Sequence, residues 1–263
     1  VLSAFAAIER DLLDEQTLPA YRAKLIALLE PTYRELGLVP SDADKSAERA
    51  LKRAAVVRAL ALSAREPALS AELAKYGRAE LGVGPAPQRA LPPELRAAAI
   101  SVVLREEPKL LEAAIARLLG SEDAQERARL VSAISTLEDP ASSPRVLDLS
   151  LDPRLRTNER PSPLFGQAGQ ARTHGIAMGW LEQNVDTYLA QLNVNARARV
   201  FAVLGYACEG AEIEREKAFL EQRVPNVPGA EHEFTLALES AKLCEAFRTR
   251  QASSARGYFA PAR

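Results

Sequence analysis

Helical periodicity runs through this sequence almost from end to end, and no window offers a competing pattern. Between residues 18 and 36, apolar side chains fall at Leu18, Tyr21, Leu25, Leu28, Leu29, Tyr33 and Leu36. Steps of three and four place them on one face of a helix. Gly37 follows, where a C-cap glycine ends such a helix. The next helix is expected to begin near Ser41-Asp42, whose side chains can cap it, and to run through 47–63. Further helices are expected over 68–81, 93–104, 109–119, 124–136 and 143–150. After an irregular passage they resume over 173–183, 186–192, 196–207, 212–223 and 230–250. Sustained alternation bounded by turn residues is absent from the sequence, so a sheet has no strands to build from. The composition agrees: alanine and leucine dominate the apolar residues and aromatics make up 5%, which favours helix over strand.

An acidic residue followed by proline recurs at Glu30-Pro31, Glu66-Pro67, Glu107-Pro108 and Asp139-Pro140. Proline suits the first helical turn, where its missing N–H would be unpaired anyway. The acid before it can accept from exposed amides and complements the helix dipole. The spacing between these pairs is close to that of a two-helix repeat. The expected fold is therefore all-α: short antiparallel helix pairs stacked as an irregular HEAT/armadillo-like superhelix. Residues 1–263 are expected to form one helical-repeat domain. Its irregular segment lies at about 152–170, where Pro153, Pro161, Pro163, Gly166 and Gly169 forbid one continuous helix. That passage is either a long surface loop or a set of short helical turns.

Charge excludes some partners. With 34 basic and 35 acidic residues the net charge is −1, so no monopole draws the chain to nucleic acid or anionic lipid. No apolar run approaches the ~20 residues of a membrane span. The opening residues do not read as a signal peptide. The chain opens on Val1, and its one methionine is Met178, which points to a piece of something longer; the compartment stays open. Cys208 and Cys244 both sit in apolar helical patterns. They are either buried free thiols or a disulfide joining two helices.

Catalytic constellations are missing from the sequence. The only histidines, His174 and His232, are 58 residues apart, whereas an H-E-x-x-H zinc site needs two histidines one helical turn apart. There is no G-x-S-x-G elbow, no P-loop, and no G-x-G-x-x-G after a strand. Basic residues are not interleaved with aromatics as on a nucleic-acid surface. We therefore expect no catalytic residue, no metal ligand and no cofactor in this chain.

Three passages carry a resemblance. Leu137-Glu138-Asp139-Pro140 precedes a leucine-rich helix, Val146-Leu147-Asp148-Leu149-Ser150-Leu151. Arg172 to Asp186 reads RTHGIAMGWLEQNVD, and Leu236 to Cys244 closes the pattern. Tyr21 to Gly37 and Leu91 to Arg96 fit less specifically. In this order they resemble the C-terminal helical domain of zinc aminopeptidases of the aminopeptidase N type, over most of the chain.

The resemblance implies a HEAT-like helical domain that folds over a separate thermolysin-like domain. In that family the zinc, its ligands and the general-base glutamate belong to the other domain, so zinc is expected there and not in this chain. The implied partners are that catalytic domain of the same polypeptide and peptide substrates. The implied role is to cover the active-site chamber and gate peptide access; the alternative is a free-standing helical scaffold that binds a protein or peptide. Arg156, Asn158, Arg172 and His174 are the candidate cavity-facing groups, set against the plainer reading of loop-ordering contacts and caps. Trp180 with Tyr188, and Leu181 with Leu189, are expected in the core.

Overall fold

The computed structural model describes residues 2–41, 44 and 46–260, the side chain of Ser3 excepted. Among the described residues there are thirteen α-helices and no strand. The chain is all-α, as its periodicity requires. No described helix is long and apolar enough to cross a membrane. The helices divide into two compact units, residues 1–133 with 254–263, and residues 134–253.

The first unit contains α1 (Leu2–Leu12), α2 (Leu18–Leu36), α3 (Ala47–Arg58), α4 (Pro67–Glu80), α5 (Pro93–Glu106), α6 (Leu111–Gly120) and most of α7 (Ala124–Ser135). In α2 the expected stripe is the buried face: Tyr21, Leu25, Leu29 and Leu36. Gly37 stops the helix at φ 65°, and its N–H donates to the Tyr33 carbonyl. Pro31, however, lies inside α2 and starts nothing. Its ring removes the N–H that the Ala27 carbonyl would accept; both residues are exposed, so water can serve that carbonyl.

Glu66-Pro67 behaves as expected. The Glu66 carboxylate accepts from the N–H groups of Ala68 and Leu69, and Pro67 is the first residue of α4. Glu107-Pro108 opens a 3-10 turn over Pro108–Leu110 that leads into α6. The Glu107 carboxylate does not cap that turn and pairs with Arg78 instead. At the start of α3 the cap is Ser46, which accepts from the Arg49 N–H; the capping expected of Asp42 lies outside the described residues. α4 and α5 cross where Gly77 meets the backbone of Ala99, and Leu69, Leu73, Leu95, Ile100, Val103 and Leu104 fill the surrounding core.

The second unit contains α8 (Ser143–Asp148), α9 (Pro161–Ala168), α10 (His174–Ala190), α11 (Val194–Val200), α12 (Gly210–Glu221) and most of α13 (Ala230–Tyr258). Asp139 accepts from the N–H groups of Ala141 and Ser142, ordering the turn before α8. The irregular passage resolves into turns over 153–160 followed by α9, which Pro161 opens. The two helices expected over 173–192 are a single one, α10. No glycine or proline interrupts 180–190, and Val185, Tyr188 and Leu189 continue the buried face. α13 runs past 250 to Tyr258.

The core of this unit gathers Leu147, Leu164, Met178, Leu181, Phe201, Leu204, Ile213, Leu220 and Phe234. Trp180 is buried as expected. Its ring meets Tyr188 edge-on at 5.6 Å, and its indole N–H donates to Asp148 Oδ1 at 3.0 Å. Cys208 and Cys244 form a disulfide, so the bridged alternative holds.

Candidate functional site

The passage from Gln167 to His174 joins α9 to α10, and it is held by buried polar groups. Gln167 is fully buried, and its side-chain amide donates to the carbonyls of Ser135 at 2.8 Å and Leu137 at 2.9 Å. Thr173 is also fully buried. Its hydroxyl donates back to the Gln167 carbonyl at 2.7 Å, and it makes no side-chain cap to α10. Gly166 makes this packing possible, because the Ser135 carbonyl occupies the space a Cβ would need. Buried donors are paired because an unmet one costs the desolvation of its group.

His174, the first residue of α10, is 6% exposed. Its Nδ1 lies 2.7 Å from the Ala168 carbonyl. A carbonyl can only accept, so Nδ1 carries the hydrogen. Nε2 faces Glu216 Oε1 at 2.9 Å and Glu212 Oε1 at 3.6 Å, both on α12. Glu216 is completely buried. Burial pushes the imidazole pKa down, but the hydrogen bond and charge of Glu216 outweigh it, helped by the Ala168 carbonyl and Glu212. The net shift is upward, so the ring holds its second proton more tightly than an ordinary histidine. Arg215 Nη2, on a largely exposed side chain, lies 3.4 Å from Glu216 Oε1. Cys208 donates its N–H to Glu212 Oε2 at 3.3 Å, and the disulfide ties Cys208 to α13.

The other candidates stand apart from this cluster in character. Asn158 and Arg172 are exposed, and Arg156 is half-buried. The Arg156 backbone belongs to a turn: its N–H donates to Glu159 Oε2 at 3.0 Å, and its carbonyl accepts from the Glu159 N–H. Three of the four named residues therefore lie at or near the surface, while His174 points inward. Sequence reasoning singled out His174 but missed Glu212 and Glu216. Two carboxylates one helical turn apart share a face, which is a readable signal, but nothing along the chain ties them to a histidine that precedes Glu216 by 42 residues.

A catalytic zinc of the H-E-x-x-H kind does not fit these residues, since His174 and His232 do not share a helix. The geometry instead offers a buried, charge-paired junction between α10 and α12 in an all-α chain. A model of the family described as ERAP1-like C-terminal domain matches residues 1–243. The chain belongs to that family. It is a C-terminal domain of the aminopeptidase N-like peptidases, and the match takes in the whole junction from Gln167 to Glu216. The ERAP1-like region stops short of the last part of α13, residues 244–258. No curated protein matches the chain.

Proposed function

We propose that this chain is the accessory domain of a zinc aminopeptidase, covering the active-site chamber and gating which peptides reach it. The zinc, its ligands and the general base are assigned to a catalytic domain of the same polypeptide. The observation that carries this reading is the family match over residues 1–243, in a chain whose sequence holds no H-E-x-x-H segment. Stacked helix pairs of the HEAT kind present a concave wall of helix ends and side chains. In this reading Arg156, Asn158 and Arg172 supply peptide contacts on that wall, where a guanidinium fork can hold a carboxylate. The inward-facing His174 keeps the wall in shape.

The test uses the open reading frame that encodes the chain. An H-E-x-x-H segment upstream identifies the catalytic part, which is then produced with and without this chain. Removing the chain should change kcat/KM for long peptides by at least tenfold while changing that for short aminoacyl amides far less. Equal effects on both substrates would remove the gating role. A reading frame with no such segment would favour a free-standing helical scaffold that binds a protein or peptide.

A further inference from the structure

Three donor atoms converge between α10 and α12: His174 Nε2, Glu216 Oε1 and Glu212 Oε1. One such atom from each residue lies within 4.8 Å of the other two. Two atoms held by one zinc ion, each at about 2.0–2.2 Å in a tetrahedral site, stand about 3.4 Å apart. The separations from Nε2, 2.9 Å to Glu216 and 3.6 Å to Glu212, bracket that value. The rest of the arrangement matches what supports a metal-bound imidazole. Nδ1 is turned away and donates to a backbone carbonyl, which fixes the ring and leaves Nε2 for the ion. Cys208 N–H holds the second oxygen of Glu212, leaving Oε1 for the site.

A surplus of acceptors sets this cluster apart from a simple buried ion pair. One Nε2 proton satisfies one oxygen. Glu216 is completely buried, yet its Oε2 has no hydrogen-bond partner, and an acceptor shut away from water in that way is costly. Two carboxylates face one imidazole, and Arg215, which reaches Glu216 Oε1 at 3.4 Å, does so on a side chain that is 59% exposed. Glu212, at 30% exposure, gives the cluster a route to solvent.

We propose that His174, Glu212 and Glu216 bind a divalent transition-metal ion of the zinc class, which takes the place of the Nε2 proton. The imidazolium releases that proton to solvent, and the freed lone pair forms the metal–nitrogen bond. The two carboxylates give up oxygen lone pairs to the ion, and Arg215 turns outward. One proton leaves as one dication enters, so the imidazole and its two carboxylates go from a net charge of −1 to a neutral site. The imidazole–carboxylate donor set suits zinc and cobalt(II) over magnesium and calcium, which prefer all-oxygen shells. The ion's role is to fasten the start of α10 to α12; the site is assigned no reaction. The inference rests on these side chains and does not depend on the proposed gating role.

The test is calorimetric titration of zinc chloride into the metal-free chain at pH 7. One ion per chain should bind, with release of protons read from the dependence of the heat on buffer ionisation. His174→Gln also removes the partner of a buried carboxylate and risks unfolding the unit. Glu212→Gln is therefore the deciding variant, with Trp180 emission confirming its fold; it should weaken zinc at least tenfold. Cobalt(II) should give a visible absorption band that zinc abolishes and magnesium leaves unchanged. His232→Gln should not alter binding. Failure of zinc to saturate, affinity unchanged in Glu212→Gln, or loss of binding in His232→Gln would each overturn the site.

Discussion

Replacing Gly166 by alanine probes how closely the α9 junction is packed. A methyl there would meet the Ser135 carbonyl oxygen, its carbonyl carbon at 2.6 Å and its Cβ at 2.8 Å. Backbone atoms cannot rotate aside, so α9 must move. In a helix with free space, Gly→Ala stabilises by about 0.5–1 kcal/mol. Forcing a methyl into packed space costs about 1–3 kcal/mol. Moving α9 also strains the two bonds from Gln167 to Ser135 and Leu137, each contributing about 1 kcal/mol net. The sum is a loss of about 2–4 kcal/mol.

Gly179, in α10, has nothing within 4 Å of the position its Cβ would take. Gly179→Ala should therefore stabilise by about 0.5–1 kcal/mol. Trp180, the chain's one tryptophan, lies in the core of the same unit, so its fluorescence during urea unfolding reports on both variants. For a unit of this size m is about 1–3 kcal/mol/M. The midpoint of Gly166→Ala should then fall by roughly 1–3 M and that of Gly179→Ala should rise slightly. A Gly166→Ala protein as stable as the wild type would refute the packing argument.

Two further expectations follow from the same structure. Reducing the Cys208–Cys244 disulfide, which spans a sequence separation of 36, frees the unfolded chain and should cost about 3–4 kcal/mol in the chain-entropy treatment. An unchanged Trp180 urea midpoint in dithiothreitol would contradict this. At the start of α7, the Asp123 carboxylate accepts from the N–H groups of Glu126 and Gln125, which hold its pKa below the usual value of 3.8. Because the folded value lies below the unfolded one, its contribution is present above about pH 4 and is lost as pH falls through the folded value. Hydrogen exchange at the amides of Gln125 and Glu126, after correction for intrinsic pH dependence, should lose protection over that range. Asp123→Asn should lack the transition, and an identical acid profile in that variant would count against the cap.

The all-α fold was legible because the apolar steps of three and four recur in nearly every segment, and the buried face of α2 is the stripe read from its sequence. Glu66-Pro67 was legible because capping is chemistry among neighbours. The Glu30-Pro31 pair was misleading, because local punctuation does not reveal that both flanks belong to one helix with its proline facing solvent. The continuous α10 was split even though Trp180 with Tyr188 and Leu181 with Leu189 already read as core pairs, since Val185, which continues the buried face between them, declares itself core only once its neighbours are in place. α9 was hidden by its own prolines, one of which opens it. The junction at His174 was half legible: the histidine stood out by rarity, whereas Glu216 looks like any surface acid of an amphipathic helix until folding buries it. The disulfide was one of two open readings, because spacing alone does not tell whether two helices bring their sulfurs together.

The central claim is that this domain builds the surroundings of a reaction and performs none of its own. It is tested most directly by assaying the purified chain on aminoacyl chromogenic amides, with and without added zinc. The account predicts no turnover above the buffer rate in either condition, even if zinc occupies the His174 cluster. Hydrolysis that persists through repurification and disappears on chelation would contradict it.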